Sequence, residues 1–183
     1  MNYVEPIRDP ELIKDIGEYL KDKDEKLFIM YEIGIYSGLR ISDILKLKVR
    51  DVKGKKTIKL RETKTGKEKM FPINAALQKE LKAYCEDKKP YEYIVPKRGQ
   101  PGKAVGRDYA YRVIHEAGIH FGLDNLGTHT MRKTFGYHFY KKTKDVVLLM
   151  KIFNHTSESR TLRYIGIEQT AINEAMMKFN YDY

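Results

Sequence analysis

The 183-residue sequence contains a single cysteine, Cys85, so no intramolecular disulfide can form, and four-cysteine or Cys2His2 zinc sites are excluded. A reducing, cytoplasmic setting is the expectation that follows. No stretch approaches the roughly 20 apolar residues that a membrane-spanning helix needs. The first residues, Met1 to Glu11, carry Glu5, Asp9 and Glu11 and lack an apolar core, so they do not read as a secretory signal. There is no internal repeat and no low-complexity segment. With 42% hydrophobic and 33% charged residues, the chain is too apolar for a disordered tail and too polar for a membrane protein. Its length suits one domain, which buries about 70% of the unfolded surface and needs no covalent staples.

Positive charge is in excess. Lysine and arginine number 35 against 25 acids, a formal net charge of +10. Such a balance points to a polyanionic partner, nucleic acid before anionic lipid or an acidic protein.

Apolar periodicity predicts a mainly α protein with a small antiparallel β-sheet. Asp9-Pro10 reads as N-cap and first helical position of a helix to about Lys21, with Leu12, Ile13, Ile16 and Leu20 as its stripe. The charged run Lys21 to Lys26 reads as a turn. Leu27 to Tyr36, apolar on nearly every face, reads as a buried central helix. Ser37-Gly38 interrupts it, and Ile41 to Leu47 reads as a short helix. Alternating residues on either side of Lys64-Thr65-Gly66-Lys67 predict a β-hairpin with a charged tip. Asn74 caps a helix through Leu77, Leu81 and Tyr84. Asp87 to Gly106 reads as loop with one small strand at Tyr93 to Val95. Further helices are expected over 107–121, around Met131, Phe135 and Phe139, over Val146 to Phe153, and near Glu158 to Tyr164 and Glu168 to Met177.

Four short segments carry candidate chemistry. Arg40 follows a Ser-Gly break at a helix start, and Asp43 lies three residues on, placed to orient its guanidinium. His129 and Arg132 share a helical face, combining a group that moves protons near neutral pH with one that forks onto phosphate oxygens. His155 ends the next helical stripe. Tyr164 follows it; a tyrosine needs a base or a dense cationic surround to act as a nucleophile. Taken singly, each has a plainer reading: a surface ion pair, a polar helix start, a packing tyrosine.

In order and spacing, Gly38-Leu39-Arg40-Ile41-Ser42-Asp43, His129-Thr130-Met131-Arg132-Lys133-Thr134-Phe135, Asn154-His155 and Thr161-Leu162-Arg163-Tyr164 together resemble the tyrosine recombinase, or phage integrase, family. The resemblance spans about Asp9 to Ile167. His155 follows His129 by 26 positions and Tyr164 follows His155 by nine, gaps that fit the family. Asn154 departs from it, since glycine usually precedes this histidine.

The resemblance implies the recombinase catalytic-domain fold and cleavage and rejoining of double-stranded DNA. Arg40 and Arg132 would hold the scissile phosphate. His129 and His155 would take the two histidine positions, Lys64 would be the hairpin lysine, with Lys67 its rival, and Tyr164 would be the nucleophile. No metal or other cofactor is expected, because protein cations meet the charge demand and the phosphotyrosine linkage conserves the bond energy. Residues 1–183 are expected to form one catalytic domain without the family's N-terminal DNA-binding domain, whether as a piece of a longer protein or a naturally short one. The segment 165–183, with apolar Ile172, Ala175 and Met176, would dock in cis or on a neighbouring subunit. The family assembles as tetramers on DNA, and the same is expected here. The competing readings are a non-cleaving DNA-binding protein on this fold, a type IB topoisomerase-like relaxing enzyme, and a basic helical module for protein or RNA.

Overall fold

The computed structural model describes residues 4–180, apart from the side chains of Gln169, Thr170 and Ala175. Helix α1 (Pro10–Lys23) starts where Asp9 accepts a hydrogen bond from the Glu11 backbone N–H. The turn expected over Lys21 to Lys26 contracts to one residue, Asp24. It ends α1 in an extended conformation, and its carboxylate accepts from the Lys26 N–H to open α2 (Glu25–Ser37). Helix α2 is the buried centre expected of it, with Leu27, Ile29, Met30, Tyr31 and Ile33 in the core.

The short helix expected over Ile41 to Leu47 shortens to a single turn, α3 (Ile41–Ile44), and a further turn beyond it, α4 (Val49–Val52), was not expected. Between them the backbone is drawn out to bond the loop beyond: Leu47 O accepts from Ile94 N, and Glu92 O accepts from Val49 N. The hairpin follows as β1 (Thr57–Arg61) and β2 (Glu68–Pro72), antiparallel, with Thr57 opposite Pro72 and Arg61 opposite Glu68. Then comes α5 (Ala75–Tyr84), capped by Asn74.

A second two-stranded sheet was not foreseen. It pairs β3 (Pro96–Lys97) with β4 (Gln100–Ala104) around Gly99. The sequence Gln-Pro-Gly-Lys is poor strand material, so tertiary context decides here. Tyr93 to Val95, read as a strand, forms only an isolated bridge from Tyr93 to Lys48. Its apolar signal marks burial of Ile94 and Val95 instead.

The remainder is helical: α6 (Arg107–His120), α7 (Thr128–Thr143), α8 (Val146–Phe153), α9 (Glu158–Tyr164) and α10 (Ile167–Lys178). The main core joins α1 and α2 to the first hairpin, α5 and α6. A smaller cluster of Tyr137, Leu149, Phe153 and Ile165 welds α7, α8 and α9 together, with Phe135, Leu162 and Tyr164 against it. Fully burying a ring such as Phe153 contributes about 1.5–3 kcal/mol. Residues 4–8 lie across α7, where Thr134 Oγ1 accepts from Ile7 N and Lys133 Nζ donates to Val4 O.

On α10, Ile172 is 47% and Met176 71% exposed. The Ala175 side chain lies outside the described residues. Among the described residues no helix is long and apolar enough to cross a membrane.

Candidate active site

A cleft of about 370 Å³ has Arg40, Thr63, Lys64, Arg107, His129 and Arg132 among its walls, and three chain breaks place candidate residues in it and beside it. The first break is the end of α2. Gly38 closes that helix at φ 65°, where a β-carbon is strained and would also stand 2.5 Å from the Phe135 ring. The chain then turns, and Arg40 occupies the N-cap of α3 with its side chain 15% exposed.

The second is the start of α7. His129 and Arg132, one turn apart, project from its first two turns. Arg132 is 2% exposed, yet its guanidinium is satisfied. Nη1 donates to Gly38 O, Nη2 donates to Phe153 O at 3.0 Å, and the Phe153 ring lies beneath it at 4.1 Å. Burial, tempered by the nearby Tyr164 phenol and reinforced by Arg40, lowers its pKa to about 10, so it stays charged at neutral pH. Arg132 is thereby a clamp between the end of α2 and the end of α8.

The third is the end of α8. Asn154 caps that helix at φ 55°, the left-handed conformation that explains why glycine suits the position and why asparagine can replace it. The reversal sends His155 back over Phe153. Its Nδ1 lies 3.0 Å from Thr161 Oγ1, whose own hydrogen goes to Ser157 O. The hydroxyl can therefore only accept, so Nδ1 carries the imidazole proton and Nε2 holds the lone pair. Burial first, then Arg132, Arg40, Arg160 and Lys64, pushes the His155 pKa down to about 4.

Tyr164, the last residue of α9, faces this group. Its Oη lies 3.3 Å from His129 Nδ1, and its ring meets those of His155 and Phe153 edge-on at 5.3 and 5.7 Å. The cations favour the phenolate only in part. Arg132 and Arg40 do pull its pKa down, but burial outweighs them and the net shift is upward. His129 is lowered, by desolvation against the cleft wall and then by Arg132, Lys133, Arg40 and Lys64, so it is neutral at pH 7.

Lys64, on the hairpin turn, lines the cleft; Lys67 is not among the lining residues. Asp43 corrects an expectation. Its Oδ1 accepts from both the backbone N–H (2.8 Å) and the hydroxyl (2.6 Å) of Thr63, while its buried Oδ2 has no hydrogen-bond partner among the described residues. With its carboxylate turned to the hairpin, Asp43 tethers the turn that carries Lys64. The ion-pair partner of Arg40 is Glu62, at 3.0 Å.

Glu62, Lys69 and Arg107 escaped the sequence reading. A signal existed for the first two. Strand alternation puts Ile58, Leu60 and then Glu62 on the inner face, and Lys69 with Phe71 on the inner face of β2. Thr65, Lys69, Arg40 and Asn154 hold the Glu62 pKa below the usual carboxylate range even though burial alone pushes it up more than any one of them pulls. Lys69 Nζ reaches Lys151 O and Ile152 O at the end of α8 and lies 3.6 Å from Glu62; burial, together with Arg132 and Arg40, lowers its pKa against the pull of Glu62. Arg107, at the start of α6, carries no local pattern that would mark it. Among the described residues no three histidine, cysteine or carboxylate side chains converge to hold a metal ion.

Comparison with known proteins is consistent across sequence and structure. Residues 9–170 match the model of the phage integrase family. The chain is 43% identical over 179 residues to the probable integrase/recombinase YoeC of Bacillus subtilis, covering 98% of each chain. It is 26% identical over 170 residues to the tyrosine recombinase XerA of Pyrococcus horikoshii, covering 91% of this chain and 58% of the relative. A crystal structure of XerH site-specific recombinase bound to palindromic difH substrate, a post-cleavage complex, superposes with a TM-score of 0.72 at 19% identity, covering 97% of this chain and 54% of the other. The chain thus spans nearly all of YoeC and little more than half of these two longer proteins.

Proposed function

The chain belongs to the phage integrase family of tyrosine recombinases, and from that premise we propose that it carries out site-specific recombination by cutting and rejoining double-stranded DNA through a covalent 3′-phosphotyrosine at Tyr164. The observation that carries this reading is the convergence of one phenol on an imidazole and two arginines, with His129, Arg40 and Arg132 lining a basic cleft beside it.

The chemistry follows from those residues. Tyr164 Oη attacks the scissile phosphorus and the P–O5′ bond breaks. The phenolic proton passes to Nδ1 of neutral His129, its hydrogen-bond neighbour. Negative charge grows on the non-bridging oxygens, where Arg40 and Arg132 supply fixed donors. Such preorganised charge stabilisation is worth several kcal/mol, roughly 3–4 for a single well-placed donor. Lys64 gives its proton to the departing 5′ oxygen. Rejoining reverses each transfer, and no nucleotide is consumed.

His155 Nε2 lies open to a proton that an incoming phosphate would stabilise, which turns it into a donor to the same oxygens. Arg107, on the cleft wall, suits a neighbouring phosphate. Self-assembly on DNA belongs to the same reading and is supported by the exposed Ile172 and Met176 of α10.

The test is a nicked duplex from which the short downstream fragment bearing the new 5′-hydroxyl diffuses away, preceded by a supercoiled-plasmid relaxation screen to find a competent sequence. The expected result is a protein–DNA species that survives denaturation. Binding with no such species on any relaxed or screened sequence would leave a DNA-binding protein that does not cleave.

A further inference from the structure

We propose that Glu62 is a positioning residue for Arg40 and that Asn154 is its second anchor, so that the asparagine standing where glycine is usual serves the site; the proposal rests on Arg40 being a phosphate ligand. Glu62 is 1% exposed, and a buried carboxylate is costly unless its lone pairs are met. Here both oxygens are engaged. Oε1 accepts from Arg40 Nη1 at 3.0 Å and faces Lys69 Nζ at 3.6 Å. Oε2 accepts from the Thr65 hydroxyl at 2.7 Å and from Asn154 Nδ2 at 2.6 Å.

Each contact comes from a different part of the cleft. Arg40 lies between α2 and α3, Thr65 and Lys69 belong to the hairpin, and Asn154 caps α8 immediately before His155. With Oε2 pinned from two sides, the carboxylate cannot rotate and Oε1 points at Arg40. Arginine is long and rotamer-rich, so an unheld guanidinium spends much of its time away from any one phosphate. Holding one nitrogen of the fork leaves the others aimed before substrate arrives.

Glycine at 154 would satisfy the backbone angle but offer no amide. Asparagine keeps φ 55° and adds the donor. The same amide also ties the spacing of His155 to that of Arg40.

Glu62 further carries negative charge beside the place a phosphate would occupy. Removing that charge eases phosphate binding while loosening Arg40. A positioning role therefore predicts that binding and cleavage move apart, whereas a merely structural role predicts that they fall together.

The experiment compares Glu62→Gln, Asn154→Gly and the double variant with the wild type. It measures the single-turnover rate on relaxable plasmid DNA, affinity for a short duplex, and the Arg40 Nε–H resonance by NMR. Glu62→Gln should slow cleavage by about tenfold or more with affinity unchanged or tighter. Asn154→Gly, whose backbone suits glycine, should fold normally and slow cleavage by about threefold, and the double variant should be no slower than Glu62→Gln alone because Asn154 acts through Glu62. The Arg40 resonance should broaden in each variant.

Cleavage and binding falling in parallel, multiplying rate effects, or an unmoved Arg40 resonance would overturn the proposal. Should Glu62→Gln not fold, Asn154→Gly carries the test through the same rate, affinity and resonance. If the wild type itself cuts no DNA, the recombinase reading fails instead, and the NMR comparison alone decides whether Glu62 and Asn154 hold Arg40.

Discussion

The Tyr164 hydroxyl stands 3.3 Å from Nδ1 of His129, a residue 35 positions earlier in the chain. The two meet because α7 and α9 share the small apolar cluster built on Phe153 and Ile165. That cluster holds the phenol in place before any DNA is bound.

Replacing Tyr164 with phenylalanine removes one oxygen and keeps the ring against Phe153 and His155. Covalent cleavage should disappear, duplex affinity should change less than threefold, and stability should fall by about 0.5–1.5 kcal/mol, the worth of one hydrogen bond. Denaturant titration and a binding isotherm beside the cleavage assay check all three. Cleavage surviving in this variant would return Tyr164 to a packing role.

His155 gives a pH signature. Its folded pKa, about 4, lies below the ordinary histidine value of about 6.5. Between these two values the unfolded chain binds the extra proton, so acid favours unfolding there. This group leaves stability unchanged above about pH 7 and lowers it progressively as pH falls from about 6.5 toward 4. An NMR titration should show the His155 ring still neutral at pH 5.5, and duplex binding should move its midpoint upward. A free-protein midpoint at the ordinary value would contradict the environment described for it.

Gly136 is where α7 touches the elements beneath Tyr164. A β-carbon there would lie 2.6 Å from Ile165 Cγ2 and 2.8 Å from the Phe153 ring. Overpacking should cost about 1–3 kcal/mol against roughly 1 kcal/mol gained in helix propensity, so Gly136→Ala should lower stability by up to about 2 kcal/mol. Because the displaced atoms seat Tyr164 and clamp Arg132, cleavage should drop more than DNA affinity. Calorimetry and single-turnover rates decide the matter.

These positions also show what the sequence discloses and what it withholds. Arg40, His129, Arg132, His155 and Tyr164 sit in short ordered segments next to helix starts and ends, and the helix periodicity that locates those ends was readable. The hairpin was readable from alternation around Lys64-Thr65-Gly66-Lys67. The second sheet was not, because β4 carries proline and glycine and is held by backbone bonds to the short β3 and to Tyr93. Asp43 was expected to pair with Arg40 because three-residue spacing brings side chains together on a long helix. But α3 is a single turn, and Asp43 finds Thr63 instead. Glu62 reaches Arg40 across 22 residues, a proximity that only the folded hairpin creates.

Lys64 lines the cleft and Lys67 does not, which makes Lys64 the proposed proton donor. Lys64→Ala should slow cleavage of ordinary DNA by about 10²–10⁴-fold, the range for loss of a general acid. It should recover on a 5′-bridging phosphorothiolate, whose sulfur leaves without a proton. Lys67→Ala should be close to wild type on both substrates. Rescue of Lys67→Ala in place of Lys64→Ala would move the proton donor.

The central claim, that Tyr164 becomes joined to a 3′ phosphate, is tested most directly by mass spectrometry of the covalent species trapped on a nicked duplex after protease and nuclease digestion. The account predicts a single modified peptide containing Arg163-Tyr164-Ile165, bearing a 3′-linked nucleotide on the tyrosine oxygen, and a free 5′-hydroxyl on the released strand. An adduct on any other residue, or cut ends carrying a 5′ phosphate, would contradict it.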